Sequence, residues 1–510
     1  MRLPSLSKLL RKPLASLAAV AALALPAQAT WSVVVMDLVT GEVVLASATC
    51  LSNANLAQVL GSVVVGKGAG ACQSFVFQQG KSIISDGLKA GKTPAEILAD
   101  IHQADTSPEL RQYGIVGLEG PAATFTGSGA GLAASGVTGD AGNLRFAIQG
   151  NVLTGDAVVT AARDALLATE GDLGQKAMAA MLAAAALGGD GRCSCVPANP
   201  TGCGVPPPSF THSAFSSFII IARPGDLDST TCGVSSNNCT NGIYYGKLTF
   251  QGNINKPDPV RALDRKFQVW RSELAGRPDH FLTEVYNSSQ RVKADGVDTT
   301  TIDILLRDVD GDPLVSGGQT VLVAAIENPG VTILPAVDNG DGTHTLTVVG
   351  GTNPGRVQLR LLVNDGGGNV RLWPDVEFEV APPTALFANQ SGVSVSEGGQ
   401  VRFEIDVPAN AGGAYHLLGS VSGTHPGTPF GSLVLPLNAD RLLRMTVLRP
   451  NSAVLVNTQG TLDGSGQATA WVDLSSGYFD GYIGLTGFFS AFLAGSPDQV
   501  TNVASFEVLP

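Results

Sequence analysis

Hydrophobic and polar positions alternate in two different ways along the chain. Up to about residue 285, short strand-like runs are interspersed with segments whose apolar residues recur at helical spacing. The opening run TWSVVVMD, a turn at residues 38–42 and the run VVLASA predict a β-hairpin. Further strands are predicted at 60–65, 113–118, 122–126 and 214–222, and helices at 82–90, 94–103, 155–169 and 173–187. Helices between groups of strands indicate a layered α/β or α+β domain.

Beyond residue 285 the helical periodicity disappears. Runs such as TTIDILLRDV, THTLTVVG and VQLRLLVND alternate with turns rich in Gly, Asp and Asn, which is typical of a β-sandwich. After a Pro-rich joint at 381–383, the runs VRFEIDV, RLLRMTVL and ATAWVDL predict a last β-rich segment. We therefore expect a mixed domain at 30–285 and two all-β domains at 286–382 and 383–510.

The first 29 residues have the features of a secretory signal peptide. Four basic residues precede an apolar run at 14–25, and Ala27-Gln28-Ala29 provides a small-x-small cleavage site. An uncleaved anchor is the alternative, but the run is well short of the roughly 20 apolar residues that span a bilayer. No later stretch is long enough to span one. Cleavage after Ala29 predicts a secreted, periplasmic or cell-surface protein whose first residue is Thr30.

Composition and charge narrow the function classes. The 510 residues include 62 Gly, 29 Pro and only 15% charged residues, which describes a folded, loop-rich chain. Removing the signal takes away four basic and no acidic residues, so the formal net charge changes from -12 to -16. This balance argues against a nucleic-acid partner, because phosphate recognition needs clustered positive charge.

Five of the seven cysteines fall in one stretch, and in an oxidising compartment they are disulfide candidates. They are Cys193, Cys195, Cys203, Cys232 and Cys239, whereas Cys50 and Cys72 lie far upstream. A zinc site is the alternative, but the C-x-C lacks paired C-x-x-C spacing and only His212 is near. No metal or other cofactor is indicated. An odd count leaves one thiol unpaired or intermolecular.

Thr30 offers chemistry that the common hydrolase motifs do not. The sequence contains no G-x-S-x-G, H-E-x-x-H or Walker-type motif, and His102, His212 and His280 stand in contexts that favour structural roles. A mature amino-terminal Thr combines a hydroxyl nucleophile with its own α-amine, a base that is partly neutral near pH 7. The alternative is that Thr30 is simply the residue that follows a signal peptide.

Residues 30 to about 275 resemble the bacterial and archaeal domain-of-unknown-function family 1028, which is placed in the N-terminal-nucleophile (Ntn) hydrolase superfamily. The resemblance is carried by TWSVVVMDLVTGEVVLASA with its D-x-x-T-G turn, RFAIQGNVLTG, GGDGR, SAFSSFIIIARPGD and NKPDPVRALDRKFQVW. It implies a four-layer αββα sandwich with a Thr at or beside the mature terminus. The family supplies no settled substrate, so the expected reaction, hydrolysis of an amide bond, comes from the superfamily.

Four more residues are candidates for the same site. Asn151 in the QGN motif is a candidate oxyanion donor, although Asn after Gly is common in turns. Asp37 is a candidate for orienting the terminal amine, although capping of the D-x-x-T-G turn explains it equally well. Asp190 and Arg192 could clamp a substrate or form an ordinary loop ion pair. The Cys-bearing, Pro-rich segment 193–210 is predicted to staple a loop near the site.

Residues 286–382 resemble a bacterial immunoglobulin-like domain of the group-1, invasin type. The resemblance is carried by ADGVDTTTIDILLRDVDGDPL, DNGDGTHTLTVVG and GRVQLRLLVND, and it implies a spacer or adhesive module. The segments D-x-D-G-D and D-N-G-D-G-T could suggest calcium. Neither supplies the twelve-residue loop with its terminal Glu, however, and such runs are common in hairpin turns.

Two functions follow from these residues. The first is a secreted Ntn-type hydrolase of an amide in a small molecule, a peptide or a cell-wall fragment, with Thr30 as the nucleophile. The second is a non-catalytic surface or adhesion protein that keeps the Ntn-like fold and binds a cell-surface partner through its Ig-like domains. The sequence alone leaves both open.

Overall fold

The computed structural model describes residues 29–233, 237–396, 398–430, 433–474, 479–495 and 498–510. Of the predicted signal peptide, all but Ala29 lies outside the described residues. The chain divides into two compact units, an N-terminal unit that ends at Val269 and a C-terminal unit from Trp270 to Pro510. Within the described ranges, no helix has both the length and the apolar character needed to cross a membrane.

The N-terminal unit is built from strands and helices that alternate in groups along the chain. Its strands are β1 (Thr30–Asp37), β2 (Val43–Thr49), β3 (Gly61–Val64), β4 (Gly68–Ser74), β5 (Arg111–Gly117), β6 (Ala123–Thr126), β7 (Ser135–Ala141), β8 (Leu144–Asn151), β9 (Ser216–Ala222) and β10 (Gly246–Gln251). Its helices are α1 (Leu56–Leu60), α2 (Gln78–Lys89), α3 (Pro94–Ala104), α4 (Ala157–Ala168), α5 (Leu173–Ala186), α6 (Gly191–Ser194) and the greater part of α7 (Pro259–Ser272), whose last three residues belong to the C-terminal unit.

These elements form four layers. One antiparallel sheet has the strand order β10-β9-β2-β1-β8-β7, and a second has the order β3-β4-β5-β6. Helices α4 and α5 pack on the first sheet, and α2 and α3 pack on the second. Between the sheets lies an apolar core that includes Val34, Leu45, Ala69, Val116 and Phe218. The arrangement confirms the predicted αββα sandwich.

Residues 33–36 of strand β1 form a continuous apolar run because both faces of the strand are buried. Successive side chains of a strand point to opposite faces. Val34 and Met36 therefore enter the core between the sheets, while Val33 and Val35 face the other way. The same alternation places Thr30 on the inter-sheet face, which matters for the site described below.

The helix ends follow their capping residues. Thr93 and Glu96 form a reciprocal capping box at the start of α3, and Asp172 and Gln175 form another at the start of α5. Both N-caps agree with the sequence prediction. Strand β4 was not predicted, because its sequence GAGACQS carries no strand signal. Strand β4 pairs with β5, which lies so close that a Cβ at Gly68 would be 2.2 Å from the Val116 carbonyl oxygen, so this position requires glycine.

The C-terminal unit begins its β structure with two facing sheets. Their strands are β11 (Glu284–Asn287), β12 (Arg291–Lys293), β13 (Thr299–Leu305), β14 (Thr320–Glu327), β15 (Thr332–Ile333), β16 (Val337–Asp338), β17 (Thr343–Val349), β18 (Gly355–Asn364), β19 (Asn369–Arg371) and β20 (Val376–Ala381). One sheet has the order β11-β13-β17-β15 and the other β12-β20-β18-β14. Alternate residues such as Ile302, Ile304, Leu359 and Leu361 fill a single core, as in a β-sandwich.

The rest of the C-terminal unit forms a second β-rich region. Its strands are β21 (Leu386–Ala388), β22 (Gly392–Ser394), β23 (Gln400–Asp406), β24 (Ala414–Ser420), β25 (Thr428–Phe430), β26 (Leu433–Leu435), β27 (Leu455–Val456), β28 (Gln459–Thr461), β29 (Gln467–Asp473), β30 (Thr486–Leu493), β31 (Gln499–Val500) and β32 (Ala504–Leu509). Its main sheets have the orders β21-β23-β29-β27 and β22-β32-β30-β24-β28, and they share a core that contains Phe403, Phe489 and Phe506.

The run RLLRMTVL, which we expected to be a strand, is the helix α8 (Arg441–Leu448). Asp440 starts this helix, because its carboxylate accepts the amide N–H of Leu443 at 2.8 Å. Leu442 and Met445 then bury one helical face, a spacing of three residues that a strand could not place on one side. The expectation was wrong because the apolar run is short enough to suit either structure.

A joint connects the two β regions of the C-terminal unit. Here Gln290 Oε1 accepts the backbone N–H groups of Ser391 at 3.2 Å and Gly392 at 3.1 Å. The N–H of Arg291 donates to the Asn389 carbonyl at 2.9 Å. Backbone and side chains of residues 288–291 thus bind residues 389–392, so the Pro-rich linker between the regions is bridged.

One ion pair of the N-terminal unit yields a pH-dependence prediction. Asp105, which is buried, accepts Arg111 Nε at 2.7 Å and Nη2 at 3.1 Å. Hydrogen bonding from the Arg111 guanidinium holds the pKa of the Asp105 carboxyl below its usual value. A carboxyl whose pKa is lower in the folded than in the unfolded state contributes stability above the unfolded pKa, and this contribution is lost as pH falls through the folded pKa.

We therefore expect the Asp105→Asn variant to lose less stability than the parent protein between pH 5 and pH 2, a window set by the ordinary Asp pKa of about 3.9 and the lowered one. Urea denaturation at a series of pH values measures this. The exposed Asp86 on α2 provides the control substitution Asp86→Asn, which should leave the curve unchanged. Parallel curves for Asp105→Asn and the parent would contradict the prediction.

Candidate active site

Strand β1 lies in the middle of the first sheet, between β2 and β8. Its first residue, Thr30, is directly opposite Thr49 of β2 and Asn151 of β8. Residues opposite each other project from the same face of a sheet, so these three side chains lie together on the face that packs on the second sheet. All three are buried, and Thr30 is only 3% exposed.

The carbonyl oxygen of Ala29 is the central acceptor of this site. It accepts hydrogen bonds from Thr30 Oγ1 and Thr49 Oγ1, each at 2.6 Å, and from Arg192 Nη2 at 2.9 Å. The two Thr hydroxyl oxygens are 3.3 Å apart. Thr49 and Arg192 are distant from Thr30 in sequence, so the fold gathers these donors around the Ala29–Thr30 peptide.

Asp190 holds Arg192 in place. Asp190 is the N-cap of α6, and its Oδ1 accepts the Arg192 backbone N–H at 3.0 Å. The Arg192 guanidinium donates from Nε to Asp190 Oδ1 at 3.1 Å and from Nη2 to Asp190 Oδ2 at 2.8 Å. Asp190 Oδ2 also accepts the backbone N–H of Cys50 at 2.7 Å. Asp190 is fully buried and the Arg192 side chain is 13% exposed. The pair is therefore a loop ion pair that also presents an N–H group to the Ala29 carbonyl.

A buried network of amides and hydroxyls extends from Thr30 towards the second sheet. Gln73 Nε2 of β4 donates to the Thr30 carbonyl at 3.0 Å and to Gln112 Oε1 at 2.7 Å. Ser32 Oγ donates to Gln73 Oε1 at 2.6 Å and lies 3.0 Å from Ser47 Oγ. These residues were not predicted from the sequence. Their signal was the pair of polar alternations T-x-S and S-x-T in β1 and β2, on the face that is otherwise apolar.

Gln149 of β8 lies beside this network, opposite Ser32. It is fully buried, and within the described ranges neither of its amide heteroatoms has a hydrogen-bond partner. A Cβ at Gly114 of β5 would come within 2.0 Å of Gln149 Oε1, so the glycine makes the space that this side chain occupies. A buried amide without partners costs about 1–3 kcal/mol. Gln149 therefore has a donor and an acceptor to offer to a polar ligand.

The structure brings Asn151 to Thr30 but keeps Asp37 away from it. Asn151 Nδ2 donates to the Ala130 carbonyl at 3.0 Å. Asp37 is at the other end of β1, about 23 Å along the strand at about 3.3 Å per residue. Its Oδ1 accepts the N–H groups of Val39 at 2.8 Å and Thr40 at 2.9 Å. Asp37 thus caps the turn, as the alternative interpretation proposed, and does not meet the start of the strand.

All five candidate cysteines form disulfides. The pairs are Cys50–Cys193, Cys195–Cys203 and Cys232–Cys239, and Cys72 is a free, buried thiol. Cys50 was not among the candidates, because its partner is 143 residues away in sequence. Cys50 directly follows Thr49, and Cys193 directly follows Arg192. The first disulfide therefore fastens together the two chain segments that supply donors to the Ala29 carbonyl.

The acidic loops of the invasin-type region are closed by their own backbone. Asp308 Oδ1 accepts the N–H groups of Asp310 and Asp312, each at 3.0 Å, and its Oδ2 accepts that of Gly276 at 2.9 Å. Asp338 accepts backbone N–H groups in the same way. In the part of the chain that the structure describes, no group of three or more His, Cys, Asp or Glu is arranged to hold a metal ion.

The histidines make structural contacts. The ring of His102 packs edge-on against Phe125, with centroids 4.3 Å apart. His212 Nε2 lies 2.7 Å from the Lys256 carbonyl oxygen. His280 stacks on Trp373 in the C-terminal unit. These positions agree with the structural roles that the sequence favoured.

The N-terminal unit thus belongs to the class of layered αββα proteins in which a Thr begins the central strand. Residues 30–196 match the family described as "Family of unknown function (DUF1028)", and residues 283–379 match the family described as "Invasin, domain 3". Both resemblances inferred from sequence are confirmed.

Among solved structures, the chain is similar to a DUF1028 protein of Silicibacter pomeroyi, with 19% identity over 47% of this chain and 88% of that one, and a TM-score of 0.34. It is also similar to the Yersinia pseudotuberculosis adhesin InvE, with 18% identity over 44% and 58% of the two chains and a TM-score of 0.18. It is similar as well to invasin, described as a bacterial integrin-binding protein, with 12% identity over 57% of this chain and 46% of that one, and a TM-score of 0.18. The chain spans less than two thirds of the length of InvE and of invasin.

No functionally curated protein matches the chain significantly. The combination of a DUF1028 region with an invasin-type Ig-like region supports a surface-associated protein.

The free thiol provides a direct test of the disulfide pattern. Burial raises the pKa of the Cys72 thiol to about 12, so thiolate is scarce at pH 8 and the sulfur is inaccessible. We expect the folded, unreduced protein to give no fast reaction with a thiol reagent at pH 8, and guanidinium without reductant to release one thiol per chain. Full reduction in guanidinium should release all seven as a control. A thiol that reacts quickly in the folded protein would contradict the pairing.

Proposed function

We propose that the N-terminal unit is an Ntn-type hydrolase of an amide bond, with Thr30 as nucleophile and its free α-amine as base. One observation carries the proposal. Thr30 begins the central strand inside a buried polar site. There the side chains of Thr49 and Arg192 donate hydrogen bonds to the carbonyl oxygen of the Ala29–Thr30 amide. Cleavage after Ala29 removes that carbonyl and leaves the hydroxyl and the new amine of Thr30 among the same donors.

The chemistry follows from the groups that meet at Thr30. The α-amine accepts the hydroxyl proton as Oγ1 attacks the substrate carbonyl carbon, and the proton then passes to the leaving amine. Water hydrolyses the resulting ester on Thr30 in a second step. Gln73 fixes the Thr30 carbonyl, so the nucleophile starts from a defined position. Asn151 lines the site beside Thr30, and Asp190 and Arg192 line the place where the substrate binds.

The proposed setting is outside the cytoplasm. Residues 1–29 would direct export of the chain, and their removal by a signal peptidase would then create the terminal Thr. Three disulfides suit an oxidising compartment. We propose an amide in a small molecule, a peptide or a cell-wall fragment as substrate. The domains at 286–382 and 383–510 would hold the enzyme away from a cell surface or bind a partner on it.

A second candidate function is a non-catalytic surface or adhesion protein. It is favoured by the match of residues 283–379 to an invasin domain and by the almost complete burial of Ala29 and Thr30. Under this hypothesis the Ala29–Thr30 peptide stays intact and its hydrogen bonds serve stability alone.

Amino-terminal sequencing of the exported protein separates these hypotheses first. We expect the sequence to begin at Thr30, since only a free amine can act as the proposed base. The mature protein should then hydrolyse at least one member of a library of peptide and cell-wall amides, and the Thr30→Ala variant should lose that activity by at least about 10³-fold.

Two controls accompany this comparison. Thr240→Val removes a buried Thr hydroxyl that bonds locally to Asn238, and it should leave the activity unchanged. A mature terminus other than Thr30, or equal activity of the parent and Thr30→Ala, would favour the adhesion hypothesis.

A further inference from the structure

We propose that Thr49 and Arg192 form the pocket that receives the carbonyl oxygen of the substrate amide. Neither the family match nor the sequence motifs assign a role to Thr49. The inference rests on the proposed function of Thr30, and the experiments below can fail separately from it.

The evidence is the amide that the site already holds. The Ala29–Thr30 peptide lies next to Thr30 Oγ1, so its carbonyl stands in for the carbonyl of a substrate that the same hydroxyl would attack. Thr49 Oγ1 at 2.6 Å and Arg192 Nη2 at 2.9 Å both donate to this oxygen. These distances are those of short O–H···O and charge-assisted N–H···O bonds. They are also close to the range expected of oxyanion donors.

Neighbouring amides are committed to other acceptors. The amide nitrogen of Asn151, the donor proposed from sequence, bonds to the Ala130 carbonyl. The amide nitrogen of Gln73 bonds to the Thr30 carbonyl and to Gln112. The hydrogen bonds to the Ala29 oxygen therefore assign the oxygen pocket to Thr49 and Arg192, whereas Asn151 lines the site beside Thr30.

Both donors are fixed before any substrate binds. Thr49 is the last residue of β2, paired with Thr30 on one side and Ser216 on the other. Two hydrogen bonds to Asp190 hold the Arg192 guanidinium through separate nitrogens. The Cys50–Cys193 disulfide joins the residues that follow the two donors. Donors that need no rearrangement stabilise developing charge most effectively.

The nature of the two donors also suits a negatively charged oxygen. The Arg192 guanidinium is largely shielded from solvent, so its attraction for a developing oxyanion is screened less than at the surface. The fully buried Asp190 carboxylate balances its charge in the resting state. The pair can therefore remain buried while no substrate is bound.

A simple activated ester, p-nitrophenyl acetate, is the first probe. Thr30 Oγ1 forms a bond to the acetyl carbon, the bond to the p-nitrophenolate oxygen breaks, and the hydroxyl proton passes to the α-amine. In the transition state the acetyl oxygen carries the negative charge that Thr49 and Arg192 would bind. Release of p-nitrophenolate measures the acylation rate, and mass spectrometry confirms one acetyl group on Thr30.

We expect Thr49→Val, which keeps the side-chain shape, to slow acylation by roughly 10²–10³-fold, the usual effect of losing one oxyanion donor. Thr49→Ser should restore most of the rate, because it restores the hydroxyl. Arg192→Lys should be slow as well, since one ammonium cannot replace the bonds of a guanidinium to both Asp190 and the oxygen. Thr240→Val is the matched control and should react like the parent. Acylation of Thr49→Val at the parent rate would overturn the pocket and leave Thr30 as nucleophile.

A second measurement needs no turnover. Two chains are compared, one beginning at Ala29, which keeps the carbonyl, and one beginning at Thr30, which lacks it. Thr49→Val should lower the melting temperature more in the longer chain, because only there does the hydroxyl bond to the Ala29 oxygen. Equal decreases in both chains would overturn the pocket even if Thr30 proved unreactive. A larger decrease in the longer chain with no acylation would support the binding of an amide oxygen by Thr49 and count against Thr30 as the nucleophile.

Discussion

The geometry of the N-terminal unit depends on one constraint: the polar start of strand β1 is buried between two sheets. Thr30 and Ser32 could not be taken out of water there without partners, since an unpaired buried polar group costs about 1–3 kcal/mol. Gln73 of the second sheet is a partner of both and is itself held by Gln112, and Ser47 and Thr49 supply further partners from the neighbouring strand. Each bond fixes one strand relative to another, so the same interactions that stabilise the sandwich also fix the position of the hydroxyl.

The Asp190–Arg192 pair extends this network beyond the sheets. It binds the backbone of Cys50 on one side and the Ala29 carbonyl on the other, from a short helix that follows the Gly188-Gly189 turn. Gly189 permits the close approach, because a Cβ there would come within 2.5 Å of the Trp31 ring. The loop that carries Asp190 and Arg192, strand β1 and the Cys50–Cys193 disulfide are thereby linked. A chemical function at Thr30 would depend on all three.

Local patterns in the sequence predicted the hairpin of β1 and β2 and the helix caps at Thr93 and Asp172, because neighbouring residues alone determine these features. They did not predict β4, whose glycines are explained by the strand and the helix that pack against it. They also gave the wrong structure for α8, where the Asp440 cap was overlooked. Thr30, Asn151, Asp190 and Arg192 were found as separate candidates. Their grouping, and the part of Thr49 and Gln73 in it, depends on strand register, which a single sequence does not reveal.

The joint in the C-terminal unit has a mechanical consequence. Because residues 288–291 and 389–392 are bound side by side through Gln290, Arg291 and Asn389, a force that separates the two β regions acts on several hydrogen bonds together. Lys293 and Glu404 add an ion pair to the same place. Bonds that share a load fail at a higher force than bonds that break one after another. A protein exposed to flow at a cell surface would keep this pair of β regions aligned under tension.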